Sequence, residues 1–187
     1  MDIGAVAQFR TIKYLYLVRN VVPMSDIRVR RRRRLREKEV RALAEELETT
    51  LGVEPIGPGM PVDRAESTDF DILFINNVAE GLVYKDKIFL TVRGLLRCRP
   101  EKAAVTVDMG AVPFITKGAD VMGPGIVDAD PDIQPGDMVW VKDIKNGVPL
   151  AVGEALIPGL QMRERSPGKA IKSIHHVTDK LWKLDEE

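Results

Sequence analysis

The sequence predicts an α+β protein in two parts: one amphipathic helix packed on a small antiparallel sheet, then a compact barrel or sandwich of short strands. Three observations lead there. In residues 35–51 (LREKEVRALAEELETTL), Leu35, Val40, Leu43, Ala44, Leu47 and Leu51 recur at helical spacing, giving one apolar face. Phe70–Ile75 (FDILFI) and Gly81–Val92 (GLVYKDKIFLTV) are rich in β-branched and aromatic residues, and the second folds back at Lys85-Asp86-Lys87. Beyond Pro100 the chain breaks into short apolar runs separated by turn dipeptides, the texture of a small barrel or sandwich. The expected division is 1–27 as an N-terminal extension, 28–100 as the α+β part and 101–187 as the barrel.

The elements follow in order. Phe9–Val22 is apolar-rich, but Arg10, Lys13 and Arg19 interrupt it and it is too short to span a bilayer. It also lacks the small-residue cleavage site of a secretory signal. Ile12, Tyr14, Tyr16 and Val18 alternate as in an appended strand, a helix being the alternative, and Met24-Ser25 resembles a second start. Arg28–Leu51 is helical in its second half, with Asp26 a candidate cap near the start and Gly52 in the C-cap position. Glu54–Pro61 (EPIGPGMP) reads as a turn or loop, and Gly94–Arg99 as a short connector. In the second part, strands are expected at Val105–Asp108, Ile126–Ala129 and Met138–Lys142, with a short helix in Ala111–Ala119 and a sharp turn at Met122–Gly125. Asn146-Gly147 is a two-residue hairpin signal leading into Pro149–Ala155, and Ile174–Val177 and Leu181–Leu184 close the set.

The 187 residues carry 28 Lys+Arg against 28 Asp+Glu, a formal net charge of zero that conceals a segregation. Arg28–Arg41 holds nine basic and two acidic side chains, a net of +7, while residues 42–102 and 103–187 each carry −4. Guanidiniums at Arg28, Arg30, Arg31, Arg32, Arg33, Arg34 and Arg36 make a local positive field whose natural counterpart is a phosphate backbone. A solvated helix face, or an ion-pair network with the acidic body, is the competing reading. One cysteine excludes an intramolecular disulfide framework and any multi-Cys metal centre. Many Glu, Lys and Arg with few Asn and Gln match a thermophile's composition, and a reducing cytoplasm is the expected compartment.

Enzymatic signatures are not found, and no cofactor is expected. Asp128, Asp130 and Asp132 fail the calcium-loop pattern, because Ile133 stands where glycine is required and Val139 where glutamate is. His175 and His176 are neighbours; on a strand they face opposite ways, one into the core, and cannot chelate together. Arg97 and Arg99 flank Cys98 in a setting that favours a lowered thiol pKa. Gly57-Pro-Gly59 and Gly123-Pro-Gly125 lack the GK[ST] continuation of a phosphate loop. With Phe, Trp and Tyr at 5% and set in apolar strand patterns, base stacking is an unpromising mode, and recognition of a folded RNA by shape and phosphate contact is the better match.

The stretch Gly110-Ala-Val-Pro-Phe-Ile-Thr-Lys-Gly-Ala-Asp-Val-Met-Gly-Pro-Gly-Ile126 resembles the opening helix and turn of a PUA domain, and the likeness continues through Gly136–Val141 and Ala151–Glu154. The ending Gly168–Trp182 (GKAIKSIHHVTDKLW) is similar to the malignant T-cell-amplified-sequence and ligatin family of translation proteins, in an archaeal-type version. The resemblance implies a pre-PUA α+β domain followed by a PUA pseudobarrel of mixed strands. It implies RNA contact by Lys117, Gly118, Ala119, Met122, Gly123, Pro124 and Gly125, the glycines admitting backbone amides close to phosphate or sugar. Arg163, Arg165, Lys169 and Lys172, near the late strand, are candidate phosphate ligands. Bulky residues at Gly118 and Gly125 are expected to abolish binding while leaving the fold. The implied function is non-enzymatic recognition of structured rRNA or tRNA in initiation or recycling on the small ribosomal subunit, with a SUI1-domain translation factor as a candidate partner and no membrane. An adaptor for a translation factor and an accessory RNA-recognition subunit of a modification enzyme are the alternatives.

Overall fold

A computed structural model describes residues 27–184. Among them are two sheets. The first is a five-stranded antiparallel meander of β1 (Arg30–Arg34), β2 (Val62–Glu66), β3 (Asp71–Ile75), β4 (Val78–Tyr84) and β5 (Lys87–Leu90), each strand beside its neighbour in sequence. The β4–β5 turn falls at Lys85 and Asp86 as the sequence predicts, both at positive φ (50° and 63°). A second turn of the same kind joins β3 to β4 at Asn76 and Asn77 (φ 51° and 69°), residues that tolerate the left-handed region.

Helix α1 (Glu37–Leu51) buries Leu43, Leu47 and Leu51 and ends at Gly52, which adopts φ 71° and donates its N–H to the Glu48 carbonyl (2.7 Å). Its start differs from the expectation. Arg36 is the N-cap, and its backbone N–H donates to the Glu39 carboxylate (2.9 Å). The arginines before it are drawn into β1 by acids on β2, so the helix cannot extend upstream. Asp26, expected near the cap, lies outside the described residues, as does the apolar run Phe9–Val22.

The expected connector Gly94–Arg99 belongs instead to a helix, α2 (Val92–Cys98). The Thr91 hydroxyl caps it, accepting the Gly94 N–H (3.4 Å) while donating to the Ala79 carbonyl (2.8 Å). Glycine is required at 94 because a Cβ there would lie 2.4 Å from the Glu80 carbonyl oxygen. α2 lies against both β4 and the strand Pro149–Ala155 of the second sheet, and so joins the two sheets.

The second sheet is mixed and nearly closes into a pseudobarrel in the order β7 (Val121–Met122), β11 (Lys169–His176), β10 (Pro149–Ala155), β9 (Met138–Asp143), β6 (Ala104–Val107) and β8 (Ile126–Ala129). β6 runs parallel to β9 and antiparallel to β8. Short helices α3 (Val112–Ile115), α4 (Gly159–Arg163) and α5 (Lys180–Lys183) cover it, and Gly123–Gly125 form a 3-10 turn. Asn146 and Gly147 (φ 64°) lie in a five-residue β9–β10 loop (144–148) rather than the expected two-residue turn, because the Asp143 carboxylate organises the longer loop, accepting from the N–H groups of Lys145, Asn146 and Val148 (2.9, 2.6 and 3.1 Å). Two further expectations are corrected. β11 begins at Lys169 rather than Ile174, and Leu181–Leu184 is not a strand: Asp179 accepts the Trp182 N–H (2.8 Å) and starts α5. Asp130 of the acidic turn braces the backbone, accepting from Ala103 (2.7 Å) and Asp132 (3.0 Å).

One hydrophobic core runs through both sheets. Leu47, Phe89 and Leu95 from the first part pack in the same cluster as Trp140, Val152, Val177 and Trp182 from the second. Fully buried Leu47 and Phe89 each contribute about 1.5–3 kcal/mol of transfer free energy. A polar pin crosses the seam: the Arg93 guanidinium lies 4.4 Å from the Trp182 ring centroid and donates to its carbonyl (2.7 Å), while within the second part the Trp140 indole N–H donates to the Lys102 carbonyl (2.9 Å). A second cluster, including Val105, Ile115, Val139 and Ile171, fills the pseudobarrel.

Candidate nucleic-acid interface

The four residues of α3 decide what the candidate face presents. Val112 and Ile115 point into the pseudobarrel, so Phe114 between them faces out and is 67% exposed. The chain then turns back: the Gly118 N–H donates to the Ile115 carbonyl (2.9 Å) and the Ala119 N–H to that of Phe114 (3.1 Å). Lys117 sits exposed in this turn and makes no salt bridge among the described residues. β7 carries Met122, 47% exposed, directly opposite Lys169 of β11, and Lys169 pairs with Asp120 (2.8 Å). That pair holds the Asp120 carboxyl below its ordinary value and the Lys169 amine above its own, through a shared hydrogen bond.

Arg165 staples the next turn, its Nε donating to the Pro124 carbonyl (3.0 Å) while its Nη2 reaches Asp108 (3.2 Å). Lys117, Ala119, Met122, Pro124, Arg165 and Lys169 therefore come together. Arg163 is directed at β8, bonding the Ala129 carbonyl (2.8 Å) and Asp128 (3.0 Å). Lys172 leans towards the first sheet, 3.3 Å from the Tyr84 hydroxyl.

The glycines serve the fold. A Cβ at Gly123 would lie 2.0 Å from the Ser166 carbonyl oxygen, and one at Gly118 (φ 87°) would lie 2.7 Å from His176 Nε2. One at Gly125 would meet Ala111 Cβ at 3.0 Å. The expectation that bulky residues at Gly118 and Gly125 leave the fold intact is corrected: both crowd packed neighbours.

The arginine run forms an exposed sheet edge whose charge is largely matched within the molecule. Arg32 (2.7 Å) and Arg34 both pair with Asp63, which is 8% exposed, while Arg33 pairs with Glu39 (2.8 Å) and Arg31 loosely with Glu66 (3.4 Å). The Arg32 guanidinium also covers the Phe74 ring at 4.1 Å and donates to Asn77 (2.8 Å). Hydrogen bonds from Arg34 and Arg32 lower the Asp63 carboxyl pKa, and one from Arg33 pulls Glu39 down to about 2. Arg28, Arg30 and Arg36 make no salt bridge among the described residues.

Burial raises the Cys98 thiol, outweighing the lowering by the Arg97 charge, and the Glu80 carboxylate adds to the rise. His175 is buried, its Nδ1 2.7 Å from Asp179, while His176 is half-buried. The sequence reading missed Phe114; the signal was the Val112/Ile115 spacing, which leaves the ring no inward direction in so short a helix.

Residues 103–177 match the PUA domain family. An uncharacterized protein of Methanocaldococcus jannaschii is 41% identical over 156 residues, covering 82% of this chain and 96% of that protein. The yeast translation machinery-associated protein 20 (Saccharomyces cerevisiae) is 33% identical over 89 residues, 44% of this chain. The chain is a PUA-domain protein of the same family as the Methanocaldococcus jannaschii protein. Its pseudobarrel is thus of a class of RNA-binding modules. This PUA-domain protein spans 49% of the length of the yeast relative. The crystal structure of a hypothetical protein from Pyrococcus horikoshii OT3 superposes with a TM-score of 0.74 at 37% identity, covering 82% of this chain and 99% of that one. Among the described residues, no helix is long and apolar enough to cross a membrane.

Proposed function

We propose that this PUA-domain protein recognises structured rRNA or tRNA in translation, through the face that α3, the 117–125 turn and the start of β11 build together. Phe114 carries the reading. An aromatic ring left 67% exposed beside an unpaired lysine and next to a turn edged by Met122 and Lys169 offers stacking, cationic and apolar contacts on one surface. The arginine edge adds phosphate contact through Arg28, Arg30 and Arg36, which make no salt bridge among the described residues. The name of the yeast relative supports a place in the translation machinery. A role on the small ribosomal subunit in the cytoplasm, with a SUI1-domain factor beside it, belongs to the same proposal.

The test is ultraviolet crosslinking of the full chain to total cellular RNA, with sequencing of the adducts. Small-subunit rRNA or tRNA crosslinked at Phe114–Lys117 is the expected result. A stoichiometric protein partner without RNA would replace the proposal with an adaptor. Recovery of a base-modifying enzyme would make the protein its RNA-recognition subunit.

A further inference from the structure

A cavity of about 520 Å³ opens between the two sheets. The β2–β3 loop forms one wall, and Gly118, β11 and the start of α5 form the other. The volume falls within the ~300–1,000 Å³ of small-molecule sites, enough for one nucleotide and too small for a duplex. Through Gly118 the cavity adjoins the Lys117–Ala119 turn, so it is continuous with the candidate RNA face.

Its lining combines three chemistries. Phe70, Ile174 and Leu181 supply apolar walls. The Ser173 hydroxyl is buried with no hydrogen-bond partner, since Asp120 is engaged by that residue's backbone N–H (2.9 Å) instead. Buried polar atoms are rarely left in this state without a role. His176 Nδ1 lies 2.7 Å from the Val177 carbonyl. A carbonyl only accepts, so Nδ1 carries the proton and Nε2 of the neutral ring is an acceptor. At the rim, Arg28 and Lys180 make no salt bridge among the described residues, and Asp69 offers a carboxylate suited to ribose hydroxyls. Asp179 is already engaged by His175 and by the N–H groups of His176 and Trp182.

We infer that this cavity holds a single unpaired nucleotide, base inward between the apolar walls with its edge on Ser173 and His176, and phosphate at Arg28 and Lys180. The inference deepens the RNA-binding reading and rests on it for its biological ligand: an RNA lying along α3 and the 117–125 turn drops one unstacked residue into the seam.

The test uses the full chain and free AMP, CMP, GMP and UMP, titrated separately by calorimetry, with inorganic phosphate as the control arm. At least one nucleotide is expected to bind more tightly than phosphate. Ser173→Ala should weaken that binding about five- to tenfold, the worth of one hydrogen bond, with an unchanged or higher Tm because the orphaned hydroxyl is gone. Thr68→Trp, an exposed loop residue lining the mouth, should block binding with Tm and near-UV circular dichroism unchanged. Phosphate binding as tightly as every nucleotide, or nucleotide binding that neither substitution changes, overturns the inference. No nucleotide binding alongside intact RNA crosslinking overturns the cavity assignment and leaves the RNA reading standing. Ser173-dependent nucleotide binding without RNA crosslinks does the reverse.

Discussion

Seven arginines between Arg28 and Arg36 look interchangeable, yet the structure separates them into two groups with opposite expected effects. Arg32 and Arg34 are pinned to Asp63, Arg33 to Glu39 and Arg31, at longer range, to Glu66; Arg28, Arg30 and Arg36 make no salt bridge among the described residues. Each phosphate neutralised by a cation adds ~0.7–0.9 to the slope of log K against log salt, so three available arginines add about 2–3. Replacing Arg28, Arg30 and Arg36 by Ser should flatten the slope by that amount in filter-binding titrations against small-subunit rRNA. Replacing Arg32 and Arg34 by Ser should leave the slope unchanged and lower stability, because Asp63, 8% exposed, loses both partners. The Arg32 and Arg34 side chains are 38% and 61% exposed, so after solvent screening that loss is about 1–2 kcal/mol, a Tm decrease of ~2–8 °C. An equal slope change from the two sets, or none from the first, would refute the division.

Phe114→Ala should weaken RNA binding by ~1–3 kcal/mol, the value of one stacked base, without moving Tm, since the ring is 67% exposed. Gly123→Ala should destabilise by about 1–3 kcal/mol in thermal denaturation, because the clashing Ser166 oxygen is backbone and cannot rotate away. Glu39 has a folded pKa of about 2 against an ordinary 4.5, so its stabilising contact is complete above pH 4.5 and lost as pH falls towards 2. Glu39→Gln should reduce the acid-limb loss of stability in that window and leave the alkaline limb unchanged; identical acid limbs would count against the pairing.

Patterns that are local in sequence transferred well to the structure. α1 from Val40 onward, the Lys85-Asp86 turn and the pseudobarrel strands β6, β8, β9 and β10 follow from periodicity and turn chemistry. The failures share a cause in long-range partners. Arg30–Arg34 has no intrinsic reason to be a strand; it becomes one because Asp63 and Glu66 lie across from it on β2. Gly94–Arg99 reads as a connector, but Gly94 is there to clear the Glu80 carbonyl of another strand. α5 was legible and missed: Asp179 three residues before Trp182 is an N-cap signal hidden by the apolar pair that follows. At the candidate site the residue types were readable, but not which cations were already matched, since Asp120, Asp108 and Asp63 lie far off in sequence from the groups they hold.

The core shared by both sheets has a mechanical consequence. With Trp140 and Trp182 locked among the side chains that also carry Leu47 and Phe89, the arginine edge and the Phe114 face cannot slide or pivot independently. They behave as the two jaws of a fixed caliper. An RNA that touches both has to present two backbone segments at one set separation, so such a ligand is gauged by its three-dimensional shape before any base is read.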